Sequence, residues 1–336
     1  MEHVAIDLGG RESQICVRNA EGEIIDERRV ATRMLGKYLG KRPPSVVVVE
    51  TCAEAFGVAD EAGAMGHQVR VVPATLAPAL GVGARRTKTD QRDARALSEV
   101  STRVDLPSVH IPSRESREIK SLCTTRDGAV KARTQLVNLV RGTLRSRRVA
   151  LRRGNTDRFA QKVREAVADL PSYLQPVLTA IEQLTEHIRL LEEQVVTVAE
   201  SHPVCPRLMT IPGVGPMTAV RFVATVDDIS RFESAHKLQA FLGLTPGEHS
   251  SSDSKRRTSI TKAGPTAMRW MLLQAAWSAQ RCRGTHPMLA WAHEVELRRG
   301  KRVAAVAMAR KLAGIMYALW RDGTIYDPRH AARVTI

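Results

Sequence analysis

The sequence predicts an α/β domain at the N-terminus followed by a mainly α-helical remainder. Three observations carry this. The first 75 residues alternate short strand patterns with helical ones, the run Ser45–Glu50 (SVVVVE) is a doubly buried strand, and residues 174–198 carry apolar side chains at alternating steps of three and four. The 336 residues are 43% apolar and 26% charged, values of a folded globular chain that exclude wholesale disorder and fibrous repeats.

His3–Leu8, Gln14–Arg18 and Glu23–Val30 read as strands separated by Gly9-Gly10 and Glu21-Gly22, which gives a meander. Four consecutive valines in Ser45–Glu50 suit the middle of a sheet covered on both faces. Ala53–Met65 reads as a crossover helix and Val69–Val72 as the next strand, so three hairpin strands precede a βαβ unit. That is the element order of a ribonuclease-H-like fold. Thr87–Ser101 reads as helical, and Arg114 to about Arg153 as one long basic helix broken near Gly154.

Leu174, Val177, Ile181, Leu184, Ile188, Leu191, Val195 and Val198 form an a/d seam of more than three heptads. The seam requires a partner, either the preceding basic helix in an antiparallel hairpin or its copy in another subunit. Beyond it, Ile211-Pro212-Gly213-Val214-Gly215 lies between apolar helices and resembles a helix-hairpin-helix turn, whose backbone N–H groups suit a phosphate. Pro265–Gly323 reads as three helices, with Met268, Met271, Leu272, Ala275 and Ala276 as core. The expected domains are 1–110, an arm over 111–200, and 201–336.

Charge is distributed unevenly. The net charge is +16. Residues 1–110 hold 15 basic and 15 acidic side chains, 111–164 hold 15 and 4, 165–200 hold 1 and 7, and 201–336 hold 20 and 9. Such basic segments predict a nucleic-acid partner. Only 4% of residues are aromatic, so phosphate and shape contacts are expected to dominate over a base-stacking platform. No membrane partner is expected, because the apolar stretch Val303–Trp320 carries Arg310 and Lys311, and no basic-then-apolar leader opens the chain. Cys16, Cys52, Cys123, Cys205 and Cys282 are at least 36 residues apart, without metal or disulfide spacing, which predicts a reducing cytoplasm.

Asp7 ends the first strand and Glu50 closes the valine strand, while Asp90 and Asp93 are three apart on one helix face. Four converging carboxylates resist joint ionisation without cations, and hard oxygen donors select Mg²⁺ or Mn²⁺ over zinc. Ala5-Ile6-Asp7-Leu8-Gly9-Gly10 also looks like the first phosphate loop of sugar kinases, but the second Asp-x-Gly loop that reading requires is missing, so no ATP is expected. Gly243-Leu244-Thr245-Pro246 leads into Gly247–Arg257, read as a loop of four serines beside Lys255, Arg256 and Arg257. It is either a solvated connection or a nucleophile-bearing loop whose cations offset phosphate charge.

Asp7, Glu50, Thr89-Asp90-Gln91-Arg92-Asp93-Ala94-Arg95, Ile211–Gly215, Gly243-Leu244-Thr245-Pro246 and Ile260-Thr261-Lys262-Ala263-Gly264 occur in this order over nearly the whole chain. Together they resemble the transposases of the insertion-sequence-110 family. The resemblance implies an N-terminal RuvC-like domain with a DEDD metal site at Asp7, Glu50, Asp90 and Asp93, a coiled-coil arm, and a C-terminal transposase domain. It implies a serine nucleophile, assigned to Ser251 with Ser250 and Ser252 as candidates. It further implies donor and target DNA duplexes, a structured bridge RNA as guide, a dimer or tetramer, and a nucleoid-associated place in a bacterial cytoplasm. Phosphate contacts are expected from Arg85, Arg86 and Lys88, from Arg145, Arg147 and Arg148, from Gly213 and Gly215, and from Lys255, Arg256, Arg257 and Lys262. A RuvC-like nuclease using metal-activated water is the competing reading.

Overall fold

The first two N-terminal strands are buried through their middles, and the third, at the sheet edge, is half-buried or exposed throughout. β1 (His3–Asp7), β2 (Glu12–Arg18) and β3 (Ile24–Ala31) form an antiparallel meander. Short α1 (Leu35–Leu39) leads to β4 (Val46–Glu50), and α2 (Ala55–Ala64) carries the chain to β5 (Gln68–Val72). The sheet order is β3-β2-β1-β4-β5, with β4 parallel to both β1 and β5. This computed structural model describes residues 1–76, 90–152, 154–251, 254–281 and 287–331, with 248–251 and 254–258 described by their backbone.

The two faces of the sheet are covered by different helices. Val4, Ile6, Val47, Val49 and Val71 pack with Leu35, Leu39 and α2, whereas Ala5, Val48 and Val72 pack with Leu97 of α3 (Asp90–Arg103) and with Leu106. Val47, Val48 and Val49 are fully buried, as the valine run predicts. Each contributes about 1.5–3 kcal/mol through its burial. The chain divides into two compact units, Met1–Pro112 and Ser113–Ile336.

The second unit begins with α4 (Arg114–Ser146), capped by Ser113, whose Oγ accepts from the Ser116 N–H at 3.1 Å. The basic helix ends at Ser146 and not near Arg153. The Val149 N–H donates to the Leu144 carbonyl and the Arg148 N–H to that of Arg145, which is a Schellman ending. A separate helix that the sequence reading did not anticipate, α5 (Phe159–Ala166), then precedes α6 (Gln175–Ser201).

α4 and α6 form an antiparallel hairpin within one chain. Its outer end joins Val137, Val140 and Leu144 to Leu174, Leu178 and Ile181, while at the base Cys123, Val195 and Ala199 enter the main core. Leu174, Ile181, Ile188 and Val195 of the predicted seam are buried. Leu178 and Ala199 are buried where Val177 and Val198 are only half-buried, so at these two places the second buried position follows Leu174 and Val195 by four residues and not three, while the seven-residue repeat is kept.

The main core is built from α7 (Cys205–Leu208), α8 (Pro216–Val226), α9 (Ala235–Phe241), α10 (Thr266–Arg281), α11 (Pro287–Arg299) and α12 (Lys301–Asp322). Met268, Met271, Leu272, Ala275 and Ala276 are core, as expected. α12 is long and apolar enough to cross a bilayer by length and composition, yet 67% of its apolar window is buried inside this unit. Between α9 and α10 the predicted loop is instead a two-stranded hairpin, β6 (Pro246–Ser251) and β7 (Ser254–Ile260).

Candidate active site

The carboxylates of the sheet unit are positioned by strand register. β1 and β4 run in parallel with His3 opposite Val46 and Ile6 opposite Val49. Asp7 and Glu50 are therefore the next pair, at the C-terminal ends of strands spaced about 4.8 Å apart. Two-residue alternation gives both the face of Ala5 and Val48, the face that α3 covers. Asp93 is 6% exposed and lies in the buried stripe of α3 with Ala94 and Leu97. Asp90, three residues earlier, is exposed and meets Arg29 of β3 at 3.4 Å. Among the described residues, no three histidine, cysteine, aspartate or glutamate side chains are gathered closely enough to hold an ion as they lie. Arg85, Arg86 and Lys88 fall outside the described residues.

Polar links fix α3 on the sheet. Arg95 donates to both oxygens of Glu27, each at 2.6 Å, and Gln91 donates to Glu27 at 2.8 Å. These hydrogen bonds hold the Glu27 carboxyl below the usual carboxylate range, against the upward push of its burial. One turn on, Arg18 donates to Ser98 at 3.0 Å and the Ser98 hydroxyl meets the Cys16 sulfur at 3.2 Å. Glu27 and Arg95 were not singled out from the sequence. Their signal was only a charge pair of 68-residue separation, which no local pattern reveals.

The hairpin of the second unit is anchored at its base by two tight turns. Gly243 has φ +68° and Gly264 φ +72°, and a Cβ on either would strike the backbone of Ala263 or Phe241. The Thr261 N–H donates to the Thr245 carbonyl at 2.9 Å and the Lys262 N–H to that of Gly243 at 3.2 Å. Arg269, 8% exposed, donates to the carbonyls of Leu242 at 3.1 Å and Ala263 at 2.8 Å. One buried guanidinium thus clamps both turns. Ser251 pairs with Ser254 as the last ladder position before the tip, with Ser250, His249 and Glu248 opposite Lys255, Arg256 and Arg257. Ser252 lies outside the described residues, and Lys262 is an exposed residue of the anchoring turn at φ +56°.

Gly213 has φ +86° and packs on α10, where a Cβ would stand 2.5 Å from the Ala275 carbonyl oxygen and 2.6 Å from the Ala279 nitrogen. Gly215 precedes α8 with open space around it. Arg221, in the apolar run of α8, is 6% exposed and meets Asp127 of α4 at 2.7 Å. Arg221 and Arg269 went unnoticed although each interrupts an apolar helix, which was the available signal. At the end of α4, Arg147 pairs with Asp169 at 3.1 Å, whereas Arg145 and Arg148 line a cavity.

Residues 205–290 match the family model described as Transposase IS116/IS110/IS902 family, and residues 4–148 match a transposase model for the DEDD enzymes of IS110 elements. The transposase of insertion sequence element IS1111A from Coxiella burnetii is 30% identical over 327 residues, covering 94% of this chain and 88% of that protein. The chain belongs to the IS110 family of transposases. A probable family 20 transposase of Pseudomonas aeruginosa is 29% identical over 98% of this chain and 99% of its own length. A pilin gene-inverting protein of Moraxella bovis is 25% identical over 273 residues, 78% of this chain and 76% of that protein. In this insertion-sequence transposase the first matched stretch runs from β1 to the end of α4, and the second spans α7 to the start of α11, including the hairpin.

Proposed function

We propose that this transposase exchanges DNA strands through a covalent serine link, with Ser251 as nucleophile and Asp7, Glu50, Asp90 and Asp93 as the acidic set of a RuvC-like, ribonuclease-H-like domain. The supporting observation is that Asp7 and Glu50 each follow the last parallel pair, Ile6 and Val49, at neighbouring strand ends, on the face that α3, with its buried Asp93, covers. This donor set, hard carboxylates without sulfur or imidazole, fits Mg²⁺ or Mn²⁺. A divalent ion held there supplies neutralisation of carboxylate repulsion and polarisation of a phosphodiester.

The chain's own residues carry the covalent exchange. The Ser251 oxygen attacks phosphorus, the new serine–phosphate bond replaces the bond to the departing DNA oxygen, and that oxygen leaves as a hydroxyl with the proton lost by serine. A hydroxyl of a second DNA end reverses the exchange and frees Ser251. Bond replaces bond, so no ATP is consumed. Lys255, Arg256 and Arg257 offset the phosphate charge from the strand beside Ser251. A relative named for inverting a pilin gene fits strand exchange better than simple cleavage. Donor and target duplexes are selected by base pairing to a structured guide RNA, which suits a chain rich in cations and poor in aromatics. Two duplexes require a dimer or tetramer, with the three segments 1–110, 111–200 and 201–336 acting as metal domain, arm and serine domain.

The test is a denaturant-resistant protein–DNA adduct, formed with the RNA that copurifies and with Mg²⁺. Ser251→Ala abolishes the adduct while Ser250→Ala and Ser252→Ala keep it. An adduct persisting in Ser251→Ala refutes this nucleophile. Cleavage that continues without any adduct in every variant, the wild type included, means a nuclease using metal-activated water.

A further inference from the structure

The outer end of the α4–α6 hairpin carries two adjoining cavities of about 430 and 600 Å³ that share Arg141, Ala150 and Leu151. Both volumes fall within the range of small-ligand sites, about 300–1,000 Å³. Five cations line them: Arg141, Arg145, Arg148, Arg152 and Lys162. None of the five has an ion pair among the described residues. Their neighbours do: Arg133 with Asp157 at 2.7 Å, Arg147 with Asp169 at 3.1 Å, and Arg164 with Glu182. Glu165 is the one carboxylate lining these cavities among the described residues, and it accepts from Gln161 at 2.8 Å.

The backbone is bent to bring one of these cations in. Arg148 occupies the C′ position of the Schellman ending at φ +62°, where glycine is the usual residue. A non-glycine residue is uncommon in this conformation, and here its side chain lines the cavity. The remaining lining is apolar, with Val149, Leu151 and Phe159, and the Arg141 guanidinium lies 5.2 Å over the Phe159 ring. Held in this way, the guanidinium offers a plane for a nucleobase.

We propose that this arm-end pocket captures an unpaired nucleotide, with its phosphates on the five cations and its base against Arg141 and the apolar wall. Duplex backbone alone would need only a convex basic helix face. A concave site with an apolar wall suits a base that has left its stack. The inference rests on the reading of the chain as a handler of DNA and structured RNA, and it names where in the arm the single-stranded part is held. Unpaired RNA and unpaired DNA share this chemistry.

Full-length protein is titrated by fluorescence anisotropy against four probes of one sequence: an RNA stem with an unpaired loop, the same RNA fully paired, and the DNA versions of both. Arg145→Ala/Arg148→Gly weakens the looped probe about tenfold and its paired version by less than about threefold. Arg141→Lys, which keeps the charge and loses the plane, reproduces the loop-selective loss. Arg148→Gly alone also weakens the looped probe and leaves the unfolding midpoint equal or higher, so that loss is not misfolding. Arg164→Ala, which removes a guanidinium held by Glu182 and lining neither cavity, changes every probe by less than about twofold. A loss confined to the RNA loop identifies RNA as the source and a loss confined to the DNA loop identifies DNA, either one supporting the pocket. Equal losses on looped and paired probes, or none, overturn it. An adduct surviving in Ser251→Ala would refute the strand-exchange reading instead, and these titrations are independent of that outcome.

Discussion

The two units position their functional residues by opposite means. In the sheet unit, Asp7 and Glu50 stand where they do because parallel register and a two-residue alternation leave no other place for them. In the helical unit, Ser251 and the cations of β7 depend on a hairpin clamped by Arg269 and by two positive-φ glycines, contacts made across 6 to 27 residues of sequence. Register is a collective property that survives single changes, whereas a clamp fails with one residue. The sheet unit is thus expected to lose chemistry without losing structure, and the helical unit to lose both together.

Replacing the acids is the strongest test of the first half of that contrast. Glu50→Gln and Asp93→Asn are expected to lower adduct formation at least about 100-fold with unchanged folding. Asp90→Asn, whose carboxylate is exposed and meets Arg29, is expected to cost only about tenfold. Equal losses from Asp90 and Asp93 would mean that burial does not rank these acids.

For the second half, Arg269→Ala leaves the Leu242 and Ala263 carbonyls without their buried donor. It is expected to destabilise the helical unit by about 3 kcal/mol in denaturant unfolding and to remove the adduct with it. A folded, stable Arg269→Ala protein that lacks the adduct would show the clamp to be local. Gly213→Ala, which forces a side chain into the backbone of α10 at positive φ, is expected to cost about 2 kcal/mol in denaturant unfolding.

The smallest expected effect is acid sensitivity of the sheet unit. Burial raises the Asp26 pKa, but hydrogen bonds from Arg28 and Tyr38 and the charges of Arg28 and Arg42 outweigh it, so the folded value lies below the ordinary one. A depressed folded pKa gives stability that is full above the unfolded value, about 3.9, and is lost as pH falls through the folded one. Hydrogen exchange of β2 and β3 amides is expected to accelerate in that window, and Asp26→Asn is expected to flatten the change. Equal acid acceleration in α8 and α12 would place the sensitivity elsewhere.

Much of the sheet was legible because short strand runs bounded by turn residues and a four-valine run act over neighbouring residues, and strand boundaries agree within two residues at β1, β2, β3, β4 and β5. The pairing of Asp7 with Glu50 followed from that order. The hairpin at 246–260 was not legible, because its serines and cations have poor strand patterning and its base is held by turns at Gly243 and Gly264 that the distant Arg269 joins. The end of α4 escaped for a related reason: an arginine at φ +62° stops the helix where composition would continue it.

By itself the sequence determined the strand order's raw material, the heptad stripe, the segregation of charge and the family motifs, since each of these is written within short windows. Only the tertiary structure decided that the stripe closes on α4 of the same chain. It alone separated Asp93 from Asp90 by burial, and Arg145 and Arg148 from the paired Arg147. The physical reason is common to all three. Burial and ion pairing are set by what packs opposite a residue, and that partner is distant in the chain.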